Sequence, residues 1–178
     1  MQEPDPTAIR AAMAGDPAAF ESLVRAYQVP VWRFLRHLLG DGALAEDVTQ
    51  ETFVRLFVRL PTFSFRSKFS TWVFQVARNC GIDAVRSRDR RDRLARSLPL
   101  PAPATDPDQR AQINAALATL RPAMREALLL VEVLGLSYAE ASAVTGSPEG
   151  TLKSRVFKAR QDLHRWRAQD RHAGEDAR

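Results

Sequence analysis

Ser137–Leu163, SYAEASAVTGSPEGTLKSRVFKARQDL, decides the fold of the chain's second half. Ser137 and Glu140 form the S-x-x-E pattern of a capping box, so a short helix starts there. Gly146 stands where that helix must stop, because the residue past a last turn often takes positive φ. Ser147 then serves as the cap of a second helix, with Pro148 at its first position, where a missing N–H costs nothing. Leu152, Val156, Ala159 and Leu163 repeat at helical spacing and make one apolar stripe. The opposite face carries Ser147, Thr151, Ser154 and Lys158, flanked by Lys153 and Arg155. Hydroxyls and cations on the free face of a short second helix suit the recognition helix of a helix-turn-helix. The plainer reading is a helical hairpin with a solvated basic face. Caps, stop, stripe and cation placement together favour the DNA-binding reading.

Composition bounds the rest. The chain has 178 residues, enough for one domain or two small ones, and 45% of them are hydrophobic, so a packed core is feasible. A net charge of +5 favours a polyanionic partner. One cysteine, Cys80, excludes a disulfide framework within the chain and points to a reducing cytoplasm. Its place on an apolar stripe makes it a small buried hydrophobe. No signal peptide or membrane-length apolar run is present in the sequence.

Working back to the N-terminus, residues 1–15 read as a polar lead-in with a short helical turn at Thr7–Met13. Asp16 and Pro17 start a helix whose apolar face is Phe20, Leu23, Val24 and Tyr27. Pro30 is expected to kink or restart it before Val31, Phe34 and Leu35. A helix from about Leu44 to Leu60 buries Ala45, Val48, Thr52, Leu56 and Leu60. Its other face shows Asp47, Gln50, Glu51 and Val54, with Arg55 at its edge and Val58 at its far end. Carboxylates in a first turn complement the helix dipole, and the same residues could equally form a docking face. The loop PTFSFRSKF, Pro61–Phe69, interleaves Phe63, Phe65 and Phe69 with Arg66 and Lys68. Such rings can stack on unpaired bases; on residue identity alone, plugging a small core is the stronger reading. A helix from Ser70 to about Arg88 then buries Val73, Val76, Ala77, Cys80 and Ala84, leaving Trp72, Gln75, Asn79, Asp83 and Arg86 as a polar stripe. The charge run Arg86–Arg96 reads as a solvated helix end or linker that can also touch phosphates, and the proline-rich LPLPAPATDPD after it marks the linker. Beyond it, Ile113, Ala116, Leu117 and Leu120 make one helix face. Pro122 starts a further helix that runs through Glu126 to Val133, and the charged tail is expected to fray after Trp166. The expected fold is all-α, two small helical domains joined by a Pro-rich linker, the C-terminal one a helix-turn-helix. No catalytic constellation, metal-ligand cluster or cofactor signature is visible, so the reading is against an enzyme and calls for no cofactor.

AEDVTQETFVRLF (Ala45–Phe57), the following F-x-F…F-x-x-W and VARN (Val76–Asn79) resemble the second conserved region of bacterial sigma factors. Ala118–Leu163 resembles the fourth, and two such regions with no other domain between them resemble the extracytoplasmic-function sigma factors. The resemblance implies a promoter-specificity subunit in which residues 16–95 form region 2, 96–108 the linker, 109–168 region 4 and 169–178 a tail. It implies that Glu46, Asp47, Gln50, Glu51 and Phe53 bind core RNA polymerase at the β′ clamp, with region 4 near the β flap. It implies that Phe65, Lys68, Phe69, Trp72 and Asn79 hold the melted −10 element. Glu149, Gly150, Thr151, Lys153, Ser154, Arg155 and Lys158 would meet the −35 element, Arg155 foremost. It further implies an anti-sigma partner and no membrane insertion. Ala141 and Ser142 depart from the family's usual Ile and Ala. The competing reading is a stand-alone helix-turn-helix regulator that binds duplex DNA as a dimer. It leaves the acidic helix and aromatic loop without a use. An RNA-binding module is a third reading that the basic face alone would permit.

Overall fold

The computed structural model describes residues 2–94 and 109–176, so the expected linker at 96–108 lies outside the described residues. Every regular element among them is helical. The elements are α1 (Pro6–Met13), α2 (Pro17–Leu39), α3 (Gly42–Arg59), a 3₁₀ turn (Leu60–Thr62), α4 (Phe69–Leu94), α5 (Gln109–Thr119), α6 (Pro122–Leu128), a π-helical turn (Leu129–Val133), α7 (Tyr138–Thr145) and α8 (Glu149–Asp176). One compact unit contains α1–α4; a second contains α5, α6, α8 and most of α7. No described helix is long and apolar enough to cross a membrane.

In the first unit α2, α3 and α4 pack pairwise on one another, and α1 lies against α2 and the 3₁₀ turn. Asp16 and Asp41 cap α2 and α3, accepting from the N–H groups of Ala18 and Leu44. The stripe read from the sequence is buried: Leu23, Tyr27, Val31, Phe34 and Leu35 from α2, Ala45, Val48 and Leu56 from α3, Val73, Val76, Ala77 and Cys80 from α4. Of the kink or restart expected at Pro30, the restart does not occur: α2 is one helix across it. An interior proline costs about 3 kcal/mol. Val31, Phe34 and Leu35 just beyond it are 0% exposed, and each such side chain contributes about 1.5–3 kcal/mol by burial. Continuing the helix therefore wins. Residues 1–15 are also more than a lead-in. Asp5 caps α1 by accepting from the Thr7 N–H at 2.7 Å, and Ile9 and Ala12 are buried.

In the second unit α6 and α5 pack on α8. Leu117, Leu120, Leu128, Leu129, Leu130, Leu152, Val156 and Ala159 are buried. Ile113, expected on the inner face of α5, is instead 53% exposed, one turn ahead of where that helix meets the core. No glycine ends α5. Arg125 does that work from α6, donating to the carbonyls of Leu117 (2.8 Å), Ala118 (3.2 Å) and Leu120 (3.4 Å). Hydrogen bonds from a charged donor contribute about 1.5–3 kcal/mol, and orphan carbonyls at a helix end need a partner. Arg125→Ala is thus expected to lower stability by about 1.5–3 kcal/mol, read as an earlier loss of helical ellipticity in urea. An unchanged midpoint would refute this capping role. The α7 cap is as read: Ser137 and Glu140 each accept from the other's backbone N–H, at 3.2 and 2.7 Å, and Gly146 has φ 71°. Ala141 is fully buried, so the smaller residue at that position sits inside the core. The helix α8 begins at Glu149, one residue after Pro148, and continues past Trp166, where fraying was expected, to Asp176.

Candidate nucleic-acid and docking interface

Three faces carry the chemistry singled out in the sequence. The first is the outer side of α3. Glu46, Asp47, Gln50 and Glu51 are exposed there, whereas Phe53 is half-buried and lines the core beside Phe20, Leu23 and Tyr27. Glu51 is not a free carboxylate. It pairs with Arg55 at 2.6 Å, and Arg55 also pairs with Asp83 of α4 at 2.9 Å. The acidic face runs on, as the sequence places them, to Val54 and Val58, and the structure adds Phe57, which the sequence reading did not assign to it: the three are 63%, 70% and 59% exposed. Phe57 is held edge-on by Phe20, with centroids 5.1 Å apart. The signal for Phe57 was its place three residues after Val54, on the i, i+3, i+4 continuation from Asp47 and Gln50 to Val54 and Val58. Exposed apolar clusters rimmed by charge mark protein contact surfaces.

The second face is the aromatic loop and the start of α4. Phe63 is its hub, with ring centroids 4.8 Å from Phe65, 5.4 Å from Phe69 and 5.2 Å from Trp72. Phe69 was expected to hold DNA. It is buried instead, wedged between Phe63, Trp72 and Tyr27, and has no face to offer a base. Its place as first residue of α4 turns it inward. Phe65 is the reverse case. It is exposed, and its φ of 56° puts it in the left-handed region, which costs a bulky residue about 1–3 kcal/mol. Such conformations persist where surrounding structure holds them, commonly at binding sites. Lys68 is exposed and Trp72 half-buried. Asn79 follows Trp72 on the same stripe about 10 Å along the helix. It opens into a groove between α3 and α4 lined by Arg55, Arg59, Arg78, Ile82, Asp83 and Arg86. Four guanidiniums against one carboxylate make that groove electropositive. Of its arginines from α3, the sequence reading named Arg55 only as the edge of the acidic face and Arg59 not at all, because only packing brings them beside α4.

The third face is the first half of α8. Glu149, Gly150, Thr151, Lys153, Ser154 and Lys158 are exposed on it. Leu152, Val156 and Ala159 face the core. Arg155 is half-buried and turned toward the helix start, where its Nη1 donates to Ser147 Oγ at 3.0 Å. Ser154 Oγ donates to the Gly150 carbonyl at 3.0 Å, and Lys153 Nζ lies 5.6 Å from the Tyr138 ring centre. Further along α8, Arg160 ties it to Glu132 of the π-helical turn. Backbone N–H groups, hydroxyls and cations thus converge on one helix start, an arrangement that binds phosphate and base edges.

Residues 23–91 match the Sigma-70 region 2 family, and residues 110–163 match Sigma-70, region 4. The chain is 43% identical to the ECF RNA polymerase sigma factor SigC of Mycobacterium tuberculosis, with 85% of each chain covered. It is 37% identical to the ECF RNA polymerase sigma factor SigE of Mycolicibacterium smegmatis, covering 98% of this chain and 72% of that one. Its structure is similar to that of the sigma factor RpoE from Bartonella quintana, co-crystallised with the anti-sigma factor NepR. That match has a TM-score of 0.74 and 28% identity, and covers 82% of this chain and 94% of that one.

Proposed function

Because this chain belongs to the extracytoplasmic-function sigma factors, it is a transcription initiation factor that binds core RNA polymerase and promoter DNA, and we propose how its three faces divide that work. The acidic and apolar side of α3 docks on the polymerase β′ clamp through Glu46, Asp47, Gln50, Val54, Phe57 and Val58. Phe53 supports that face from the core side, and Glu51 orients Arg55. The aromatic loop takes bases of the opened −10 strand on Phe65 and Trp72, with Phe69 as their buried backing. Lys68, Asn79 and the arginine groove follow its phosphates. The start of α8 enters the major groove of the −35 element, with region 4 near the β flap. Glu149, Gly150, Thr151, Lys153, Ser154 and Lys158 face the DNA, and Arg155 is braced on Ser147 to reach phosphate. No bond is made or broken by the chain itself. Binding of the opened strand offsets the unpairing. The region boundaries are those read from the sequence, the linker at 96–108 joining them, and the protein works in the cytoplasm beside polymerase. An anti-sigma partner, of the kind that the Bartonella quintana relative has, would compete by covering the apolar strip of α3.

The observation that carries this reading is the pairing, within one helical unit, of an exposed acid-to-apolar helix face with a ring cluster that leaves Phe65 open. A duplex-binding regulator has a use for neither. The α8 assignment has its own test. In a gel shift of the chain–polymerase holoenzyme on a promoter duplex, Arg155→Ala is expected to weaken binding by roughly 1–3 kcal/mol and to flatten the salt dependence. Retention equal to the parent at every salt concentration would take Arg155 out of the DNA contact.

A further inference from the structure

Residues 2–22 lie outside both matched regions, yet they reach the strand-binding loop at two points. The Arg10 guanidinium lies over the Phe65 ring, 5.1 Å from its centre. Glu3 Oε2 accepts from the Ser70 N–H at 3.3 Å, in the first turn of α4. The same carboxylate is near Tyr27, whose phenol is pushed up first by burial and then by the charge of Glu3. Arg10 stands on α1, and Glu3 two residues before its cap. Asp5 caps α1, Ile9 and Ala12 bury its inner face, and the Asp16 N–H closes the following turn on the Ala11 carbonyl at 3.1 Å. α1 also lies against the 3₁₀ turn from which the loop departs.

Phe65 is the residue that needs holding. Its left-handed backbone is unfavourable for a phenylalanine, and the loop beyond it is exposed through Lys68. Phe63 supports one part of the ring, and the Arg10 cation supplies attraction to its face. We propose that Arg10 is a positioning residue for strand capture: it holds the Phe65 ring, so the loop meets the unpaired strand already in shape. Pre-ordering of this kind raises affinity by removing the ordering cost at the moment of binding.

The inference rests on the strand-binding role given to Phe65 above, and the experiment separates the two. The full chain is assembled with bacterial core polymerase. The probe is a fluorescent single-stranded oligonucleotide of the sequence that the parent holoenzyme selects from a pool randomised at its central positions. Phe65→Ala, Arg10→Gln, Arg10→Lys and the double variant Arg10→Gln/Phe65→Ala are titrated by anisotropy. Arg10→Gln is expected to weaken binding about two- to five-fold, the range set by an exposed cation–π contact. Arg10→Lys should restore most of it, and in the Phe65→Ala background Arg10→Gln should cost nothing more. Arg10 is exposed, so the thermal midpoint should stay put. If Arg10→Gln binds like the parent, or loses the same factor with Phe65 absent, the positioning role is overturned while the role of Phe65 stands. If the parent retains no single strand, or Phe65→Ala has no effect, the reading of the loop fails and this inference fails with it.

Discussion

Asp47→Arg combined with Val58→Glu is expected to weaken binding to core polymerase at least about 100-fold while leaving the folded chain intact. Asp47 is exposed and Val58 is 70% exposed, both on the outer side of α3. Surface changes of this kind usually move stability by no more than about 0.5 kcal/mol. In an interface they act differently. A desolvated apolar anchor is worth about 2 kcal/mol or more, and a charge of the wrong sign set against a complementary partner costs several. Two such losses exceed the roughly 2.8 kcal/mol that a 100-fold change requires. Glu51 is the poorer target, because its pairing with Arg55 and through it with Asp83 would be disrupted as well. Fluorescence titration of labelled chain with core polymerase reads the affinity, and circular dichroism checks the fold. An affinity within three-fold of the parent would remove α3 as the docking face.

Phe74→Ala should be the most destabilising single truncation in the first unit, by about 3–5 kcal/mol. The ring is 0% exposed and meets Phe34 edge-on at 5.7 Å, where α2 and α4 pack. Its removal takes away the buried area and leaves a cavity that rigid helices on both sides cannot close. Domains commonly hold only about 5–15 kcal/mol in total, so the unit would be left near its limit. Trp32 and Trp72 report on this unit, and urea unfolding followed by their fluorescence gives the change. A loss below about 1 kcal/mol would mean that the ring is not the keystone of that core.

How much of this was legible beforehand depended on the range of the interaction. The capping box at Ser137 and Glu140, the left-handed Gly146 and the Leu152–Val156–Ala159 stripe are set by neighbours within a turn or two, and the structure carries them as read. The restart offered at Pro30 did not occur because the cost of the proline is local, whereas the burial that outweighs it comes from α3 and α4. Phe69 divided the two readings: residue identity favoured a core plug, the family resemblance a DNA contact, and the packing of Tyr27 and Trp72 around it makes it core. Arg125 as the cap of α5, Arg155 turned onto Ser147, and the arginine groove between α3 and α4 depend on side chains that leave their own turn. No periodicity announces them. Val54 and Val58 were legible as the continuation of the acidic face, whereas Phe57, one turn on from Val54, was passed over because an apolar residue on a helix reads as core by default.

Run-off transcription tests the central claim most directly. Purified chain and bacterial core polymerase are incubated with a library of promoter fragments, and transcripts are mapped. The account predicts products with defined start sites that require the chain, sharing a −35 and a −10 element upstream, and lost with Asp47→Arg/Val58→Glu. Transcripts that appear equally without the chain, or none with core polymerase from its own host, would contradict it.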